Sequence, residues 1–219
     1  YMLLGLNGGF AQSEIVNLLG NEIHFDHDPP SVRYIRHKTK KPAAFILWPE
    51  TQAALEWAAR RGRNKREEDV PWAILTEAGN QLTRQRIANA WSLLLERVCE
   101  REPGFRQLPF KYLRKTNASL LSQCGGDTEV VAIVHGRAKR SAHDDQADVY
   151  YPRLIEKVRP ALEELRERLK PMFEAADMPF QTGKAYTRPS QCFSIETIRE
   201  IRSLRKDGLR VVDIAEKFG

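Results

Sequence analysis

Three stretches of this 219-residue chain carry side chains that could act together on a phosphate: Lys111-Tyr112-Leu113-Arg114, His135-Gly136-Arg137-Ala138 and Ala147-Asp148-Val149-Tyr150-Tyr151-Pro152. The step of three from Lys111 to Arg114 puts both cations on one face of a helix, so both can reach one phosphate. A tyrosine phenol, with a pKa near ~10, is a poor nucleophile at neutral pH unless nearby positive charge favours the phenolate. Cations gathered around a phosphate beside a tyrosine supply that charge. A fourth stretch, Lys38-Thr39-Lys40-Lys41-Pro42, reads as a basic turn. Two roles suit it: a lysine that protonates the alkoxide leaving a cleaved phosphodiester, or a solvated turn that attracts backbone phosphates.

These residues need elements to position them. Lys111 and Arg114 fall on a helix from Phe110 to about Gln123, held to the core by Leu113, Ala118, Leu120 and Leu121 and ended by Cys124-Gly125-Gly126. Thr128 is expected to cap a short helix to Val134, which delivers the His135 to Arg137 turn. The lysines lie between strand candidates Val32 to Arg36 and Ala43 to Trp48, preceded by Glu22 to Phe25, a small antiparallel meander. Pro49 opens a helix to about Arg61, and Thr83 begins one to about Cys99 with Ile87, Ala90, Trp91, Leu94 and Val98 at core spacing. Gly8-Gly9 breaks the chain ahead of a helix containing Glu14, which reads as a buried or capping acid. From Pro152 to about Lys170, Leu154, Ile155, Val158, Leu162, Leu165 and Leu169 mark a long amphipathic helix suited to packing or to contact between protomers.

The Lys-x-x-Arg helix, the glycine-containing turn and the following tyrosine resemble the catalytic domain of the tyrosine recombinases (phage-integrase family). That family carries a His-or-Lys, x, x, Arg helix, then Leu-Gly-His, then the nucleophilic tyrosine. Aligning the glycines puts Arg137 in the place of the histidine. The family pattern Gly-x-Arg-x-x-Glu meets Gly9 and Glu14 here, but Ala11 stands where the phosphate-gripping arginine is expected. The family's hairpin lysine corresponds best to Lys38. Ala147, Asp148 and Arg153 bring Tyr151 into the nucleophile's register, with Tyr150 as the other choice.

The resemblance implies an α+β fold, mainly helical, with a small three-stranded antiparallel sheet and a short C-terminal helical appendage. It implies cleavage and rejoining of DNA through a 3′-phosphotyrosine, with no metal and no cofactor. Lys38 would be the general acid, Lys111, Arg114 and Arg137 would stabilise phosphate charge, and Tyr151 or Tyr150 would attack. Lys40, Lys41, Lys115 and His135 would contact the duplex. Two other classes share these features: a DNA-binding protein impaired in turnover, for which Ala11 argues, and a relaxing topoisomerase of the tyrosine type. Double-stranded DNA is the expected partner, with self-association on it. The family's preceding helical domain is expected to be missing, since Tyr1-Met2-Leu3-Leu4 already reads as helix interior.

Composition bears on the partner. Net charge is +6, and the stretch from Arg33 to Arg66 holds ten Lys or Arg against Glu50 and Glu56, a local surplus of +8. Such concentration suits a polyanion. Cys99, Cys124 and Cys192 are widely spaced, without a zinc-knuckle pair. With no apolar run long enough for a bilayer, the reading is a soluble cytoplasmic protein without membrane contact. His143, Asp144, Asp145 and Asp148 could hold a metal or simply form an acidic loop, and no metal is predicted. Residues 1–175 form the expected catalytic domain and 176–193 a linker. Residues 194–219 resemble the first two helices of a resolvase or invertase helix-turn-helix, the recognition helix lying past Gly219; the other reading is a helical hairpin tail.

Overall fold

The computed structural model describes residues 1–63, 71–138 and 147–176. The linker at 176–193, save its first residue, and the helical pair at 194–219 lie outside the described residues, as do the side chains of Tyr150 and of the His143 to Asp148 quartet. What is described is a mixed α+β arrangement. Helices α1 (Met2–Asn7) and α2 (Gln12–Asn17) lead into strands β1 (Ile23–His24), β2 (Ser31–Arg36) and β3 (Lys41–Ile46). Helices α3 (Pro49–Arg63), α4 (Arg84–Arg101), α5 (Lys111–Gln123), α6 (Thr128–Val134) and α7 (Ala147–Ala175) follow. The strands pair antiparallel in the order β1-β2-β3, with Val32 opposite Phe45 and Arg36 opposite Lys41.

Strand β2 shows why the hairpin sits where it does. Side chains alternate across a strand, so Val32, Tyr34 and Arg36 share one face, and all three are buried. Phe10, at the glycine break between α1 and α2, packs edge-on against both Tyr34 and Phe45. Helix α7 covers β3 and is buried along Leu154, Ile155, Val158, Leu162 and Leu165, the stripe its periodicity predicts. It continues to Ala175 because Phe173 packs edge-on against the buried Trp48, whose indole N–H donates to the Leu162 carbonyl at 2.9 Å. Asn7, fully buried, joins α1 to the end of β3: its amide donates to Ile46 O and its Oδ1 accepts from Trp48 N.

Two local expectations need correction. Leu94 is exposed rather than in the core, and Ala90 is exposed too, while Leu95 is buried. Trp91 sets this roll of α4, since its N–H donates to Leu108 O and its ring packs edge-on against Phe110. The buried face then centres on Trp91 and Leu95, and Leu94 falls past its edge. At α6 the cap is Asp127, not Thr128: the Asp127 carboxylate accepts from Val130 N at 2.7 Å. Asp127→Ala should cost about 1 kcal/mol, read from urea denaturation, and Thr128→Ala much less. Equal losses would reverse the assignment. Among the described residues, no helix is long and apolar enough to cross a membrane.

Candidate phosphate-binding site around Glu14

Helix α2 begins at Gln12 with alanine as the preceding residue, so the side chain of residue 11 cannot accept the free N–H groups of the first turn. Glu14 instead reaches back, and its Oε2 accepts the Ala11 N–H at 2.6 Å. The same carboxylate collects two guanidinium groups from distant parts of the chain. Arg36 Nε on β2 donates to Oε1 at 2.6 Å, and Arg114 Nη1 on α5 donates to both oxygens at 3.0 Å. Arg114 Nη2 also donates to the His135 carbonyl at 2.8 Å. One acid thus ties α2, β2, α5 and the turn after α6 together.

Burial alone would raise the Glu14 carboxyl, but the Arg114 charge, the hydrogen bonds from Arg36 and Ala11 and the Arg36 charge together hold it below its ordinary range. Burial lowers the Arg114 guanidinium, against the pull of Glu14, with Arg36 and Arg137 acting in the same sense as burial. His135 is pushed down to about 3 by burial and by the charges of Arg114, Arg137 and Arg36. It is therefore a neutral imidazole at physiological pH. Its Nε2 lies 2.7 Å from Asn117 Oδ1, while the Asn117 amide nitrogen donates to Leu6 O at 2.6 Å. The oxygen facing the ring must accept, so Nε2 carries the imidazole proton. A Cβ at Gly9, where φ is +61°, would stand 2.5 Å from that nitrogen, so only glycine fits there.

The hairpin between β2 and β3 is fastened to this cluster. Thr39 Oγ1 donates to Gly136 O at 2.7 Å, and Lys41 Nζ reaches Arg137 O at 3.4 Å. Lys38 is exposed and, with Ser13, Glu14, Tyr34 and Arg36, lines a cavity of about 330 Å³. Burial raises the Tyr34 phenol, and its hydroxyl has no hydrogen-bond partner among the described residues.

The expected site residues are thus only partly gathered. Arg114, His135 and Arg137 lie together, with Lys38, Lys40 and Lys41 on the adjoining hairpin. Lys111 is exposed at the first residue of α5. Lys115 lies over the Tyr112 ring, 4.6 Å from its centroid. His135 is buried and presents its ring to Asn117, so what it offers the cluster is its carbonyl. Tyr151 is buried in the core on the first turns of α7, within electrostatic reach of Arg33. Arg33 shares the face of β2 opposite to Tyr34 and Arg36. The Tyr150 side chain is outside the described residues.

Two members of the cluster had signals in the sequence that pointed elsewhere. Arg36 sits among the hairpin's cations, yet the period-two pattern of Val32, Tyr34 and Arg36 marks it as an inward cation in need of an acid. Asn117 lies four residues after Leu113 and four before Leu121, a polar residue on the apolar stripe of α5. A candidate dication set lies at the end of β1 and on the loop that follows: His24, Asp26 and His27 offer donor atoms within 4.8 Å of one another, with the two imidazoles stacked at 4.7 Å. The cluster around Glu14 does not depend on it.

No protein-family model matches this chain, and no curated protein matches it.

Proposed function

We propose that this chain is a DNA strand transferase of the tyrosine-recombinase type, with a fold to match. The observation that carries the reading is the pairing of Glu14 with Arg114 on the Lys-x-x-Arg helix, beside Arg137 and under a lysine-bearing hairpin. A guanidinium fixed by a carboxylate and a backbone carbonyl is preorganised for an anion and need not be reoriented as charge develops on a phosphate. In the proposed step the Tyr151 oxygen bonds to phosphorus as the bond to the 5′ oxygen breaks. Lys38 protonates the departing alkoxide, the phenol loses its proton to solvent, and rejoining reverses each transfer. Arg114 and Arg137 hold the non-bridging oxygens, with Lys111 adding charge from the start of α5.

A second reading, a DNA-binding protein without turnover, is favoured by Ala11 and by the burial of Tyr151 in the core within reach of Arg33, a residue on the face of β2 opposite to Arg36. One experiment separates the two. The full chain is incubated with nicked duplexes of randomised sequence, and protein covalently bound to DNA is isolated under denaturing conditions. Strand transfer predicts an adduct that Tyr151→Phe removes and that Arg114→Ala slows by roughly 100- to 1000-fold while most duplex binding survives. Duplex binding that weakens with salt but yields no adduct selects the second reading. Affinity indifferent to salt would end both.

A further inference from the structure

The Glu14 carboxylate is outnumbered. Arg36 and Arg114 both donate to its Oε1, and the charges of Arg36, Arg114 and Arg137 all bear on the His135 imidazole. One carboxylate facing the two recessed guanidinium groups of Arg36 and Arg114, with the exposed Arg137 nearby, leaves positive charge where solvent screens it weakly. A counter-ion for Glu14 alone would need only one arginine. Glu14 takes Arg36 through Nε, and the two terminal amino groups form the end-on fork that grips an oxyanion.

Arg36 is also held in place as a ligand-binding side chain must be. A Cβ at Gly136 would lie 2.9 Å from both Cβ and Cδ of Arg36, so the aliphatic stem rests against that glycine. The Thr39 to Gly136 hydrogen bond locks the same turn to the hairpin. Its side chain is 11% exposed, the same as that of Arg114, so the two are equally recessed. Arg36 lines the cavity of about 330 Å³ together with Lys38 and the carboxylates Glu14 and Glu22, and the space is ample for a phosphate group.

We propose that Arg36 is a DNA-phosphate contact of this site, supplying from β2 the guanidinium that Ala11 at the start of α2 lacks. The proposal rests on the reading of this chain as DNA-binding. Residue 11 gives a direct way to test it, because its N–H touches Glu14 Oε2 and its side chain therefore starts beside the same carboxylate. An arginine placed there can pair with Glu14 and reach the same recess.

The test measures affinity of the full chain for a mixed-sequence duplex of about 30 base pairs across a range of salt concentrations. Arg36→Gln removes the charge but keeps an N–H donor for Glu14. Losing one phosphate contact lowers the slope of log affinity against log salt by about 0.9, and Ala11→Arg added to Arg36→Gln restores it. A purely structural Arg36 gives a different pattern: the thermal midpoint of Arg36→Gln falls while its slope matches wild type. That result overturns the proposal and leaves the proposed function standing. Should Arg36→Gln fail to fold, arginine-selective chemical modification of the wild-type chain, read residue by residue by mass spectrometry, still decides: protection of Arg36 by the duplex supports the proposal, and equal modification with and without duplex overturns it. A wild-type protein without salt-dependent duplex binding defeats both the proposal and the reading beneath it.

Discussion

Glu14→Gln should destabilise the protein by roughly 3–5 kcal/mol, because it leaves two recessed guanidinium groups without their counter-charge. The side chains of Arg36 and Arg114 are each 11% exposed, and that of Glu14 is 9%, so water compensates poorly for the lost carboxylate. In urea the midpoint should fall with the slope of the transition unchanged. Glu22 is the control. It also closes a helical turn by accepting a backbone N–H, from Leu19 at 2.9 Å, but burial raises its carboxyl and no arginine among the described residues pairs with it. Glu22→Gln should therefore cost far less. Equal effects would mean that Glu14 acts only as a cap and that the arginines do not depend on it.

The protein should lose stability on mild acidification, and His135 should be the main cause. In the unfolded chain an imidazole takes a proton near its ordinary pKa of about 6.5. In the folded protein burial and three arginines push His135 down to about 3. Between those values the unfolded state binds the extra proton, so stability is full above about pH 6.5 and falls as pH drops towards 3. The loss should reach roughly 2 kcal/mol by pH 5 and roughly 4–5 kcal/mol at the end of the window. Burial also lowers His24, which adds a smaller loss of the same sign. Glu14, held below its ordinary range, contributes only further into acid, as pH falls through its lowered pKa. Chemical denaturation at pH 8 and pH 5 should therefore give different stabilities for wild type and nearly equal ones for His135→Asn. If the asparagine variant keeps the full pH dependence, another group is responsible.

Much of the scaffold was legible in the sequence because it is local. The stripe from Leu154 to Leu165 specifies the buried face of α7 at helical period, and alternation with turn residues specifies the hairpin that carries Lys38. The three-residue step from Lys111 to Arg114 likewise places two cations on one side of α5, whatever else the chain does. Periodicity says less about rotation: Leu94 and Leu95 suit a similar stripe, and the Trp91 contacts with Leu108 and Phe110 choose between them.

Which charges meet was not legible. Glu14 has cations available throughout a basic chain, and its partners prove to be 22 and 100 residues away. That choice depends on α2, β2 and α5 converging, which in turn depends on Phe10 packing between Tyr34 and Phe45. His135 shows the same division. Its place in a His-Gly-Arg turn suggested a donor to phosphate, but packing against Asn117 and Gly9 encloses the ring and leaves it neutral among three arginines. Residue type fixes what a side chain can donate or accept; desolvation and neighbouring charge, which exist only once distant elements have packed, decide its protonation state and partner.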